Sequence, residues 1–321
     1  MTKRILTAAL LLLITTPVLH AGGGQTTGMQ FLLTGPSAHN MGISEGNTAS
    51  LSGASSIFLN PSMLALEKQS SATISYMIWP ATDTQNSFAG LAYRRDNDAF
   101  GVAFMSSLID DVAFRQNPTQ NPDGTFSVRY FSVATSYARN IGPLSLGLTG
   151  MYLHEQYFQQ DAGGYGLNAG VGMNIFDERV RLGASLRNLG SMDELSETAT
   201  ELPTMLSFGA DIRFLQFSTT AADDEIPLLV SFIGDFNLPL NEFEPEDGSI
   251  SPQKDGYFNL GMELRVSDLI DLRGGYRTGE TERRFSLGAG LLISEFYFNY
   301  AFMPYETGFG TAHAISLQYN F

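Results

Sequence analysis

Thr311-Ala312-His313-Ala314-Ile315-Ser316-Leu317-Gln318-Tyr319-Asn320-Phe321 puts apolar side chains at every second position of its second half. Side chains of a strand alternate with period two, so Ile315, Leu317, Tyr319 and Phe321 share one face while Ser316, Gln318 and Asn320 share the other. A terminal Phe behind such an alternation reads as the closing strand of a bacterial outer-membrane barrel. Those four residues are then also the signal that outer-membrane assembly machinery recognises. An ordinary amphipathic strand is the competing reading.

Working backwards from the end, the alternation continues. In Tyr257 to Val266, Phe258, Leu260, Met262, Leu264 and Val266 fall opposite Tyr257, Asn259, Gly261, Glu263 and Arg265. In Leu269 to Arg277, Ile270, Leu272 and Tyr276 oppose Asp271, Arg273 and Arg277. Phe285, Leu287, Ala289 and Leu291 alternate with Ser286, Gly288 and Gly290, and Phe296, Phe298, Tyr300 and Phe302 with Tyr297, Asn299 and Ala301. Large apolar rings on one face against charges and glycines on the other suit a wall between lipid and water.

Fourteen such segments can be drawn: 71–79, 86–94, 98–107, 127–138, 143–155, 163–175, 179–187, 203–214, 226–237, 256–266, 269–277, 283–293, 295–302 and 311–321. Segments of about 10 residues fit a tilted strand that crosses a bilayer. Even-numbered links such as 95–97, 140–142 and 267–268 are short, whereas 108–126, 188–202 and 238–255 are long and polar, as periplasmic turns and outer loops should be. The link 216–225 breaks this rule.

The expected class is therefore all-β: a 14-stranded antiparallel transmembrane barrel over 69–321, in the outer membrane, surrounded by lipid and lipopolysaccharide. Residues 1–21 read as a signal peptide, with Lys3 and Arg4 before the apolar run Ile5 to Ile14 and Ala21 ahead of Gly22-Gly23-Gly24. The absence of cysteine excludes disulfides, thiolate metal sites and a thiol nucleophile, and no cofactor or metal is expected. A net charge of −15 argues against nucleic acid as a partner.

Residues 22–68 carry no clean strand. They are rich in Gly, Ser, Thr and Asn, with Asn60-Pro61 inside the apolar runs Ile57-Phe58-Leu59 and Met63-Leu64-Ala65-Leu66. A plug folded into the lumen is the expected form, with a disordered periplasmic arm as the alternative.

That segment also carries a resemblance. Phe31-Leu32-Leu33-Thr34-Gly35-Pro36-Ser37-Ala38-His39-Asn40-Met41-Gly42 and Ala54-Ser55-Ser56-Ile57-Phe58-Leu59-Asn60-Pro61-Ser62-Met63-Leu64-Ala65, with Asp271 to Arg277 and Gly310 to Ser316, resemble the PorV/PorQ family of outer-membrane proteins, relatives of the FadL long-chain fatty-acid transporters. The resemblance implies a FadL-like barrel with a plug, whose motif here is Ser37, Ala38, His39, Gly42, Asn60 and Pro61. The family usually has Arg in place of His39 and Asn-Pro-Ala-Gly in place of Asn60 to Met63. It also implies a role in type IX secretion, with envelope proteins and cargo bearing C-terminal sorting domains as partners. Passive uptake of a hydrophobic small molecule is the alternative, and a purely structural barrel a third.

Two observations separate these readings. Uptake expects an apolar pocket between plug and wall and a kink or gap in the wall. Secretion expects a sealed lumen and exposed apolar loop residues, for which Phe114, Phe126, Phe243 and Phe309 are candidates. Glu263, Arg265, Asp271, Arg273 and Arg277 form a charge ladder facing the lumen, which could line a path, clamp the plug or simply hold water. His154, beside Glu155 and near Ser145, shows no triad pattern; His313 falls on the lipid face, and no enzyme is expected. The acidic runs 193–197 and 241–247 read as solvated loops.

Overall fold

The computed structural model describes residues 28–79, 84–116, 120–195, 198–221, 224–241, 256–279, 284–305 and 310–321. The signal-peptide reading of 1–21, the first plug residues, Phe243 and Phe309 lie outside these, as do residues 196–197 and 242–247 of the acidic runs. Fourteen antiparallel strands close a barrel. They are β1 Ser71–Trp79, β2 Thr84–Arg95, β3 Asp98–Phe114, β4 Gly124–Ile141, β5 Leu144–Tyr157, β6 Gln160–Ile175 and β7 Val180–Met192, then β8 Met205–Ala221, β9 Asp224–Pro239, β10 Tyr257–Val266, β11 Ile270–Arg277, β12 Phe285–Ile293, β13 Phe296–Pro304 and β14 Thr311–Asn320. Each pairs with its sequence neighbours, and β14 closes on β1 from Ser71↔Asn320 to Ile78↔His313. A small ribbon, Glu194–Leu195 with Thr198–Ala199, sits in the β7–β8 connection.

Burial follows the period-two reading with its sign reversed from a soluble sandwich. Ile74, Tyr76 and Ile78 of β1 are exposed while Thr73, Ser75 and Met77 are buried; Phe258, Leu260 and Met262 of β10 are exposed while Asn259 and Glu263 are buried. The apolar face points outward and the polar face inward, the arrangement a lipid-facing wall requires. On β14, Ile315, Tyr319 and Phe321 are exposed and Leu317 half-exposed.

Three segment ends lie more than three residues from the sequence expectation, and each runs through a bulge. β3 does not stop near residue 107 but runs to Phe114, past a register shift between Ile109 and Val112 where Asp111 has φ 56°. β7 continues past Arg187 to Met192 through a shift beside Asn188, whose φ is 58°. β8 passes Phe214, which is skipped in the register, and pairs with β9 down to Ala221↔Asp224. The supposed long link 216–225 is therefore mostly hairpin. One extra residue flips the facing of everything after it, so a period-two pattern is lost there although pairing continues.

Residues 28–70 lie inside the barrel. Five short helical pieces, Gln30–Leu33, α1 Ala38–Gly42, Gly53–Ser55, α2 Ser56–Leu59 and α3 Met63–Leu66, carry this plug. None is long enough to be stable alone; the wall holds them. At α1, Ser37 Oγ donates to Asn40 Oδ1 at 2.6 Å, and Ser37 N–H reaches the same oxygen at 3.1 Å.

Candidate functional site: the plugged lumen

The plug fits because the wall gives up side chains where it passes. Gly147 pairs with Gly170, Gly172 with Gly183, Gly183 with Gly209 and Gly261 with Gly275, so inward glycines recur from strand to strand. A Cβ on Gly261 would stand 2.9 Å from Ile43 Cβ, and one on Gly209 would stand 2.8 Å from Thr48 Cβ. A Cβ on Gly275 would collide with the backbone of Ile43 and Ser44, and one on Gly147 with the backbone of Pro61 and Ser62, so there plug backbone lies directly on the wall, an approach only glycine permits.

The half of the wall made by β7 to β11 is charged. Arg273, with no exposed side-chain surface, holds Glu263 at 3.0 Å and Asp271 at 3.4 Å; Arg265 holds Asp271 at 2.8 Å and Glu263 at 3.2 Å. Tyr297 of β13 bonds both Asp271 and Arg273. The four ladder charges thus pair across β10 and β11 as the alternation suggested. Arg277 instead reaches into the plug, where it pairs with Glu45, and it also takes Asn259 Oδ1 at 3.0 Å.

Further plug contacts involve residues that the sequence reading did not single out. Arg181 bonds Asp211 at 2.9 Å and the Ala49 carbonyl at 3.3 Å. Asp235 accepts from Thr48 N–H at 2.7 Å, and Ser286 Oγ from Ser44 N–H at 2.8 Å. This half fixes the plug by directed, charge-assisted bonds.

The other half, β2 to β7, is apolar. Phe88, Ala103, Met105, Ala134, Met151, Leu153 and Met192 of the wall pack with Met29, Phe31, Leu32, Ile57, Phe58 and Leu64 of the plug, and Leu202 closes the group from the β7–β8 connection. Phe31 stacks on Tyr130 at 5.9 Å and Phe58 meets Phe88 edge-on at 6.2 Å. Methionines adapt to varied shapes better than branched side chains do.

The motif residues all sit within the plug. Asn60 is fully buried: its Nδ2 donates to the Thr48 carbonyl at 2.7 Å, while its Oδ1 accepts from Ser62 Oγ at 2.7 Å and Ser62 N–H at 3.2 Å. An asparagine bonding two residues ahead sets the turn in which Pro61 sits, between α2 and α3. Ser37, Ala38 and Gly42 frame α1, and Gly42 lies against Gly288. His39 is buried beside the Tyr297 ring, with centroids 6.4 Å apart. Burial, reinforced by nearby Arg273, holds its imidazole well below its usual pKa and so neutral.

The remaining histidines assemble no catalytic site. Ser145 lies at the opposite end of β5 from His154, roughly 30 Å along the strand; the sequence reading had placed them near each other. Ser145 donates to the Ser62 carbonyl at 2.6 Å, and His154 stacks on Phe131. Exposed His313 meets the Tyr300 hydroxyl at 2.8 Å. No group of acidic or histidine ligands among the described residues could hold a metal. At the end carrying the short turns, a polar cavity of about 420 Å³ opens between Glu67, Lys68, Arg94, Asn140 and Glu178.

No family model and no curated protein sequence matches the chain. Solved structures do. The toluene transporter TbuX of Ralstonia pickettii superposes with a TM-score of 0.57 at 14% identity, covering 91% of this chain and all of that one. The CymD monoaromatic hydrocarbon channel gives 0.56 at 13%, over 90% and 98%. The toluene transporter TodX of Pseudomonas putida gives 0.57 at 11%, over 92% and 99%. At these identities the likeness establishes a shared FadL-like barrel fold. The narrower PorV/PorQ resemblance has no support from these matches.

Proposed function

We propose that this is an outer-membrane channel, not an enzyme, through which a hydrophobic small molecule enters the cell, with residues 28–70 as its gate. The carrying observation is the apolar cluster between plug and wall from β2 to β7, which is packed where uptake expects a pocket, so that in this reading a hydrophobe enters by displacing apolar plug residues. The barrel's likeness to channels described as carrying toluene and monoaromatic hydrocarbons supports it. The bulge at Arg187–Asn188 supplies the kink in the wall. Beyond it, β7 pairs with β6 as far as Met192, while β8 starts only at Met205, opposite Arg187.

Type IX secretion is set aside. None of the comparisons supports it; Phe114 and Phe126, expected as exposed apolar loop residues, are half-exposed on β3 and β4 and pack against the exposed Phe158 at 5.5 and 5.6 Å. In this reading Ile315, Leu317, Tyr319 and Phe321 serve assembly, and lipid with lipopolysaccharide surrounds the barrel.

The test is the initial rate of ring-labelled toluene uptake in a deletion strain and in the strain complemented with the intact gene. Uptake should fall on deletion and return on complementation. Equal rates in both strains would sink the proposal.

A further inference from the structure

The link that broke the short-turn rule builds a ribbon beyond the barrel rim. β8 pairs with β7 only from Met205 to Ile212, yet it pairs with β9 as far as Ala221↔Asp224. β9 in turn meets β10 only from Leu228 onward. Past Arg213 the two strands therefore leave the wall as a hairpin, at the end that carries the short periplasmic turns. Its β8 strand runs on from Phe214 to Ala221, about 23 Å along the chain. Phe214 to Ser218 are all exposed, so both faces of the ribbon stand free of the lumen.

One face is apolar. Leu215 and Phe217 stand opposite Val230 and Leu228, on the side where Phe232 and Met262 face outward. Gln216 and Ser218 share the other face. Phe214 rests on Phe232 with ring centroids 5.6 Å apart, so the apolar stripe continues the lipid-facing wall past the rim. Arg213 at the base lies 3.9 Å from Glu178, which also holds Lys68 of the plug.

The β8 edge of the ribbon is open. Pro227 has no N–H, and its carbonyl accepts from Ser267 N–H at 2.8 Å, so the pair Ser218↔Pro227 exchanges no hydrogen bonds. The backbone N–H and C=O of Ser218 consequently point away from β9. With period two, those of Gln216 and Thr220 do so as well. No strand among the described residues covers them. Natural sheets blunt such an edge with Lys, Pro or a bulge. Phe214 to Ala221 carries neither Lys nor Pro, and its bulge lies at the base.

We infer that this edge binds an extended segment of a periplasmic protein, which adds to β8 as an antiparallel strand. Main-chain bonds to Gln216, Ser218 and Thr220 supply affinity, and apolar side chains at alternate positions lie beside Leu215 and Phe217. The only charges in the sequence from Phe214 to Leu229 are Asp223, Asp224 and Glu225. An antiparallel strand begins at the turn that holds these acids, so its basic residues precede its apolar ones. A second copy does not fit. Copies in one membrane point their ribbons the same way, and two such edges meet parallel rather than antiparallel. The surface is independent of what the lumen carries.

The experiment titrates the purified full-length barrel in lipid nanodiscs with the labelled peptide Lys-Lys-Val-Thr-Val-Thr-Val-Thr and with its reverse, read by fluorescence anisotropy. Wild type should bind the basic-first peptide saturably and the reverse more weakly. Amide exchange should slow over residues 214–221 on binding. Ser218→Pro removes an edge N–H and no β8–β9 bond, so it should cut affinity at least about tenfold and leave the urea midpoint of the barrel unchanged. Phe217→Lys, which places a charge on the apolar face, is the second variant and should weaken binding as well.

No saturable binding to wild type, equal affinity for the two peptides, or unchanged affinity in both variants would each overturn the inference. Binding in detergent that disappears in nanodiscs would overturn it too, because lipid then covers the ribbon.

Discussion

Two sides of the lumen hold one plug by different physics. From β7 to β11 the contacts are directed: carboxylates and guanidinium groups bond each other and the plug backbone, and a buried Arg273 satisfies two carboxylates at once. From β2 to β7 the contacts are apolar and lack direction, so other apolar groups of similar size can replace them. A ligand can displace apolar plug residues and restore what it removes. No hydrophobe can replace Arg277 to Glu45. If the plug moves as proposed, the charged half is its hinge side and the apolar half the side that yields.

The largest expected effect breaks the charged half. Arg273→Met leaves Glu263 and Asp271 with the part-exposed Arg265 as their one remaining cation, a loss of about 3 kcal/mol, the lower end for breaking a buried pair. Urea unfolding of the barrel in lipid vesicles should show it as a large drop in midpoint, and an unchanged midpoint would mean that the ladder is solvated.

In the apolar half, Leu153→Ala removes a fully buried side chain and should cost about 2–5 kcal/mol in the same assay. Unlike the arginine change, it should be partly rescued by saturating toluene, which fills the cavity. Absence of rescue would contradict the yielding half. Met151→Leu, nearly volume-conserving, should cost under about 1.5 kcal/mol.

The smallest effect lies outside both halves, at the mouth. Lys68 bonds Glu178 at 2.8 Å, with Lys68 largely in solvent and Glu178 partly so, and the pair is worth at most about 1 kcal/mol. Bonding to Lys68, with the charges of Lys68 and Arg213, draws the Glu178 carboxyl below its usual pKa, against a smaller opposing burial effect. Its contribution is therefore present at neutral pH and fades as pH falls through that lowered value. Lys68→Ala should differ slightly from wild type at pH 7, and the difference should shrink as acid protonates Glu178; a difference that grew on acidification would reverse the assignment.

Much of this was legible in the sequence because a barrel strand reports its facing at every second residue. The ladder Glu263, Arg265, Asp271 and Arg273 sits on two regular strands, so parity alone found it. Arg187 lay at the end of an expected strand, just before the bulge where parity fails, and Asp211 came shortly before the bulge at Phe214. Glu45 could not be found by any local pattern, since its partner Arg277 is 232 residues away. Asn60-Pro61 announced a turn, but not that the turn is pressed on Gly147 and Gly170. Directed contacts between distant segments leave no periodic trace.

Ser70 and Phe321 exchange two backbone hydrogen bonds, 3.0 Å from Ser70 N–H and 2.9 Å from Phe321 N–H. Ser70 is where the plug hands the chain to β1, and Phe321 is the final residue of the sequence. Zipping the cylinder shut and tethering its contents are consequently a single topological act. Pulling on the root of the plug therefore loads the seam between the first and last strands.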